Sequence, residues 1–143
     1  MSDVGMILQR LGATLVNEVA PKLEGDYSGG HASMAGLMAV MAGEMWEKEA
    51  DLLVNEIGRM KALLAAAGIG EAEPHIESFL ISDLKAMRNE LAMQLIELQA
   101  SLEAKDDEGS KALNTQIWGH LLATCAGRMP SPPAFGAAGE GEP

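Results

Sequence analysis

Apolar residues recur every three or four positions through four long stretches of this chain, a spacing that gathers them on one side of an α-helix. The first stretch covers about residues 3–23, on Val4, Ile7, Leu8, Leu11, Leu15 and Val19. The second and longest covers about residues 31–67. Its seam runs through Met34, Leu37, Met38, Met41 and Met45, then Leu52, Leu53, Ile57, Met60 and Leu64. The third starts near Pro74, suited to a first helical turn, and carries Leu80, Leu84, Met87, Leu91, Leu95, Leu98 and Leu102. The fourth carries Leu113, Ile117, Leu121 and Leu122 and fades near Arg128.

The breaks between these stretches carry turn chemistry. Residues 24–30 (Glu-Gly-Asp-Tyr-Ser-Gly-Gly) read as a turn, with Asp26 or Ser28 able to cap the next helix. Gly68-Ile69-Gly70 stops the second helix, and Lys105-Asp106-Asp107-Glu108-Gly109 ends the third, with Asp106 or Asp107 as the next cap. Pro21 either ends or kinks the first helix. Aromatics make up 3% of the chain while methionine and alanine abound, a composition that favours helix over sheet. The expected fold is all-α: an up-down-up-down four-helix bundle with a long second helix over residues 1–128. A flexible tail rich in proline and glycine is expected over 129–143.

The formal net charge is −11. So acidic a surface repels phosphate backbones and anionic lipid headgroups, so neither nucleic acid nor a membrane is an expected partner. The longest apolar-rich run, Met34 to Ala42, is too short to span a bilayer. The opening residues lack the basic and apolar regions of a signal peptide, so a cytoplasmic location is expected.

No catalytic constellation emerges from the sequence. His31, His75 and His120 fall at two helix starts and inside the fourth helix, with no Glu-x-x-His pair of the di-iron kind. Glu44, Glu47, Glu49, Asp51 and Glu56 crowd one helix and read as a solvated face. Cys125 shares no helical face with His120 and reads as a small buried hydrophobe. Gly29-Gly30 lacks the lysine and preceding strand of a phosphate loop. The expectation is a protein that is not an enzyme, with no cofactor and no metal.

The second helix presents two stripes. One is the methionine seam, expected in the core. The other is small: Ala32, Ala35, Gly36, Ala39, Ala42 and Gly43. Small residues let a neighbouring backbone approach closely, either that of the first helix through Gly5 and Gly12 or that of a second subunit. Trp118 is expected at the core or its edge, and Trp46 is the better interface anchor. The interface candidates are Trp46, Ala35, Gly36, Ala39 and Gly43, in a homodimer.

Several segments together resemble a known kind of domain. They are Leu15-Val16-Asn17-Glu18-Val19-Ala20-Pro21-Lys22-Leu23, then Asp26-Tyr27, Trp46-Glu47-Lys48-Glu49-Ala50-Asp51-Leu52-Leu53 and Ile57-Gly58-Arg59-Met60-Lys61-Ala62-Leu63, followed by Leu95-Ile96-Glu97-Leu98-Gln99 and Ala112-Leu113-Asn114-Thr115-Gln116-Ile117-Trp118-Gly119-His120-Leu121. Their order resembles small bacterial helical domains of unknown function, some associated with aminoglycoside-phosphotransferase-like kinases and acyl-CoA dehydrogenases. The resemblance covers about residues 8–128. It implies a helical bundle and brings no established activity. The chain departs from that pattern after Asp26-Tyr27, with Gly29-Gly30 where helix formers would sit. The expected function is that of an interaction protein, self-associating or docking on a protein partner. The alternative is a small-molecule- or metal-binding accessory bundle for a kinase-like or acyl-CoA enzyme.

Overall fold

The computed structural model describes residues 3–23, 25 and 27–131, and the regular structure among them is entirely helical. Four α-helices follow one another: α1 (Val4–Thr14), α2 (Tyr27–Ala66), α3 (Ile81–Glu103) and α4 (Glu108–Arg128).

Asp3 starts α1 by accepting the Met6 amide at 3.0 Å. The helix does not stop at Thr14. It widens into a π-helical turn, Leu15–Val19, where the Ala20 amide bonds to the Leu15 carbonyl, and then tightens into a 3-10 turn, Ala20–Leu23. Pro21 explains the change. Its ring would strike the carbonyl four residues back and it has no amide to donate, so the α ladder cannot continue through it. The proline both distorts and ends the helix.

α2 begins at Tyr27, four residues before the expected start, so Ser28, Gly29 and Gly30 belong to its first turn and not to a loop. Gly29 is there because the chain reverses tightly. A β-carbon on it would lie 3.0 Å from the Leu23 carbonyl oxygen and 3.2 Å from that of Ala20. Among the described residues of this reversal, the left-handed backbone is taken by Gly25, at φ 94°. The expected cap Asp26 lies outside the described residues. The far end of α2 stops as expected, with Gly68 and Gly70 at positive φ.

α3 starts at Ile81, not near Pro74. Residues 74–80 are non-helical, and Leu80 takes extended angles (φ −63°, ψ 133°) as the residue before the helix. Ile76 and Ile81 pack on the hydrophobic core, which holds this segment along the bundle instead of in a helical turn. α4 opens on Asp107, which accepts from both the amide (2.8 Å) and the hydroxyl (2.7 Å) of Ser110.

The contacts divide the chain into two units at Glu47, within α2. In the second, Lys48–Met129, large side chains build the core. Leu53, Ile57, Met60, Leu63 and Leu64 of α2 meet Leu84, Leu91, Leu95, Leu98 and Leu102 of α3 and Ile117 of α4. Most of the seam residues read from the sequence for this half lie in that core, but Leu80, Leu121 and Leu122 are exposed. Lys85 of α3 also reaches Glu49 of α2 at 2.9 Å.

The first unit is a helical hairpin, α1 against the first half of α2. Gly5 lies opposite Gly43 and Gly12 opposite Gly36, so the strands of the hairpin run antiparallel in fixed register. The buried residues between 3 and 47 are Gly5, Gly12, Ala20, Gly36 and Gly43, all of them small. The methionine seam is therefore not core in this half: Met34, Met38 and Met45 are exposed. The reason is stoichiometric. A two-helix hairpin offers each helix one covered face, and the small stripe of α2 takes it.

Candidate functional site

The hairpin fixes what α2 shows to its surroundings. A β-carbon on Gly12 would come within 2.6 Å of Val40 Cγ2, and one on Gly36 within 2.7 Å of the Gly12 carbonyl oxygen. On Gly43 it would lie 2.8 Å from the Gly5 carbonyl oxygen. Backbone thus touches backbone, and of the two possible covers for the small stripe α1 is the one in place. Gly36 and Gly43 are consumed by that contact and are not available to a partner. The Gly5–Gly12 spacing read from the sequence marks the other half of it.

Two flanks remain. With about 3.6 residues per turn, Val4, Ile7, Leu8, Leu11 and Leu15 lie to one side of the α1 glycines. Ala35, Ala39, Ala42 and Trp46 lie to one side of Gly36 and Gly43. Because the helices are antiparallel, these two stripes share one face of the hairpin. Val4, Ile7 and Leu11 form its ridge, about half exposed, and Trp46, 60% exposed, follows the alanines one turn beyond Ala42. The methionine stripe lies on the side of α2 turned away from α1. Of the residues singled out for an interface, Ala35, Ala39 and Trp46 thus come together beside the apolar face of α1.

A second cluster lies in the unit Lys48–Met129. Glu56 of α2, its side chain only 11% exposed, pairs with Arg88 of α3 (Nε to Oε1, 3.4 Å) and with Arg128 of α4 through Oε2. Glu56 is thus no part of a solvated face. Asp51 is exposed, as expected. His120 of α4 is buried near Glu56 and Arg59, its Nδ1 without a hydrogen-bond partner among the described residues. Burial above all, and then the charge of Arg59, hold its pKa below the usual histidine value, against the opposing pull of Glu56. Sequence reasoning missed the arginines because each comes from a different helix and none forms a motif.

The remaining expectations are corrected or placed as follows. Cys125 is exposed, because it falls on the solvent side of α4. Trp118 is 53% exposed and sits at the edge, with Ile117 taking the core position. His31 lies on α2 as an exposed side chain, and His75 is exposed 3.5 Å from Glu77. No group of three or more metal-ligating side chains is found among the described residues. No helix among them is long and apolar enough to cross a membrane. Comparison with family models, curated proteins and solved structures finds no match.

Proposed function

We propose that this chain is a helical interaction protein that self-associates through its N-terminal hairpin. One observation carries the reading: the hairpin buries glycine and alanine and leaves its large apolar side chains in contact with water. Exposed apolar area of this extent on a soluble surface ordinarily marks an interface. The face shared by the two helices sets large side chains on α1 beside small ones on α2. It sets a ridge, Val4, Ile7 and Leu11, beside a trough over Ala35, Ala39 and Ala42 that ends at Trp46. A two-fold axis would lay the ridge of each copy into the trough of the other, the self-matching contact of a symmetric dimer. Trp46 then anchors each end. In this reading each helix runs antiparallel to the next, the up-down-up-down order.

Light scattering at micromolar concentration tests it. The expected mass is near twice the 15.0 kDa of one chain. Ile7→Glu and Trp46→Glu should each bring it back to that of a monomer with the helical content retained. A mass near 15.0 kDa for the unaltered chain, unchanged in both variants, would overturn the proposal.

A further inference from the structure

Arginine is scarce in this chain and unevenly placed. Of its four, Arg10, Arg59, Arg88 and Arg128, two pair with one carboxylate and Arg59 lines the cavity beside it. Glu56 binds Arg88 with one oxygen and Arg128 with the other. Arg59 lines the same small cavity, about 100 Å³, together with Asn55, Glu56, Thr124 and Arg128. It makes no hydrogen bond or ion pair among the described residues. Asn55 turns its amide to the Asp51 carbonyl (2.9 Å) and supplies no anion.

The donors and acceptors do not balance. Each guanidinium carries five N–H groups in a planar fork, while Glu56 offers two oxygens and Asn89 one more, to Arg88. Three positive charges and one negative leave a local surplus of positive charge in a protein of net charge −11. An oxygen anion offsets a surplus of this kind and accepts two parallel bonds from a guanidinium fork. The cavity is too small for a nucleotide and has the size of one phosphate or carboxylate group. Across from Arg59 the cavity is lined by α4, through Ala123, Thr124, Gly127 and Arg128.

We infer that the cavity between α2 and α4 bordered by Arg59, Thr124 and Arg128 is a binding site for a small oxyanion, a phosphate or carboxylate group, held chiefly by Arg59 and Arg128. The inference stands on the unit Lys48–Met129 alone and is independent of self-association through the hairpin. The ligand's source is left to the experiment, since an inorganic ion and the terminal group of a larger molecule present the same oxygens.

The full chain is titrated separately with inorganic phosphate and with acetate at constant ionic strength, following the side-chain N–H signals of the arginines by NMR. One of the two anions should shift the Arg59 and Arg128 signals saturably. Arg59→Gln, at an exposed position, should fold with the same melting temperature in chloride and bind that anion at least about tenfold more weakly. Lys111→Gln, on an exposed surface, should bind as the unaltered chain does. A response to phosphate alone assigns a phosphate site, and a response to acetate alone a carboxylate site. No saturable shift with either anion, or equal binding by Arg59→Gln, overturns the inference.

Discussion

Gly12 and Gly58 both lie inside regular α-helix and differ only in what surrounds them. A β-carbon on Gly12 meets α2 backbone and the Val40 side chain, and one on Gly58 meets nothing within 4 Å. Alanine is the better helix former by about 1 kcal/mol, because glycine loses more backbone freedom on folding. At Gly58 that gain is unopposed, so Gly58→Ala should stabilise the protein by about 0.5–1 kcal/mol. At Gly12 the added carbon forces α1 from α2, and overpacking of this kind costs about 1–3 kcal/mol. Gly12→Ala should therefore destabilise, despite the better propensity. Urea denaturation of the two variants measures both signs, and a stabilising Gly12→Ala would mean that the hairpin contact is loose. The seven-residue spacing of Gly5 and Gly12 made this contact legible in the sequence. The arginines around Glu56 were not legible in the same way. Their grouping depends on three helices meeting, and helical periodicity says nothing about which turns of different helices become neighbours.

Helix ends are decided by a few local hydrogen bonds, and the ends read from the sequence succeeded where those bonds are local. Asp107 was one of two candidate caps for α4, and it holds the amide and hydroxyl of Ser110 three residues on. These bonds favour its charged form, so its pKa is lowered, Ser110 being the first cause. Asp107→Ala should lower the urea midpoint at neutral pH, because the Ser110 amide loses its partner. Asp106→Ala should lower it much less, since its side chain meets only the exposed Lys111. Equal losses would show that charge near the helix start matters and the cap geometry does not. The starts of α2 and α3 were misplaced for the opposite reason. Gly29 and Pro74 carry strong local preferences, for turn and for first helical position. Gly29 is instead needed where the Leu23 and Ala20 carbonyls press close, and the Pro74 segment is held by Ile76 and Ile81 on the core. Both are tertiary facts that override a local signal.

At the scale of the whole chain, the amphipathic pattern is equally regular in both halves of α2, yet its consequences differ. Periodicity shows which residues share a face and not whether that face is covered. From Leu53 to Leu64 the seam meets the leucines of α3, while from Met34 to Met45 it meets water. Fully burying one Leu, Ile or Met side chain contributes about 1.5–3 kcal/mol. The two halves of one continuous helix therefore rest on very different stabilisation, and regions of low local stability open without global unfolding. Native-state hydrogen exchange on a dilute sample should show this division within α2. The amides of Leu53, Ile57 and Leu64 should exchange only through global unfolding. Those of Met38, Met41 and Met45 should exchange through a smaller opening and much faster. Self-association through the hairpin adds a second expectation. Binding that favours the closed form raises its stability with concentration, so protection of Met38 to Met45 should increase as the protein is concentrated, while that of Leu53 to Leu64 changes less. In Trp46→Glu the concentration dependence should vanish and the division between the halves should remain. Uniform protection along α2 at low concentration would instead show that the hairpin is as stable as the leucine core, and that its exposed apolar face needs no partner.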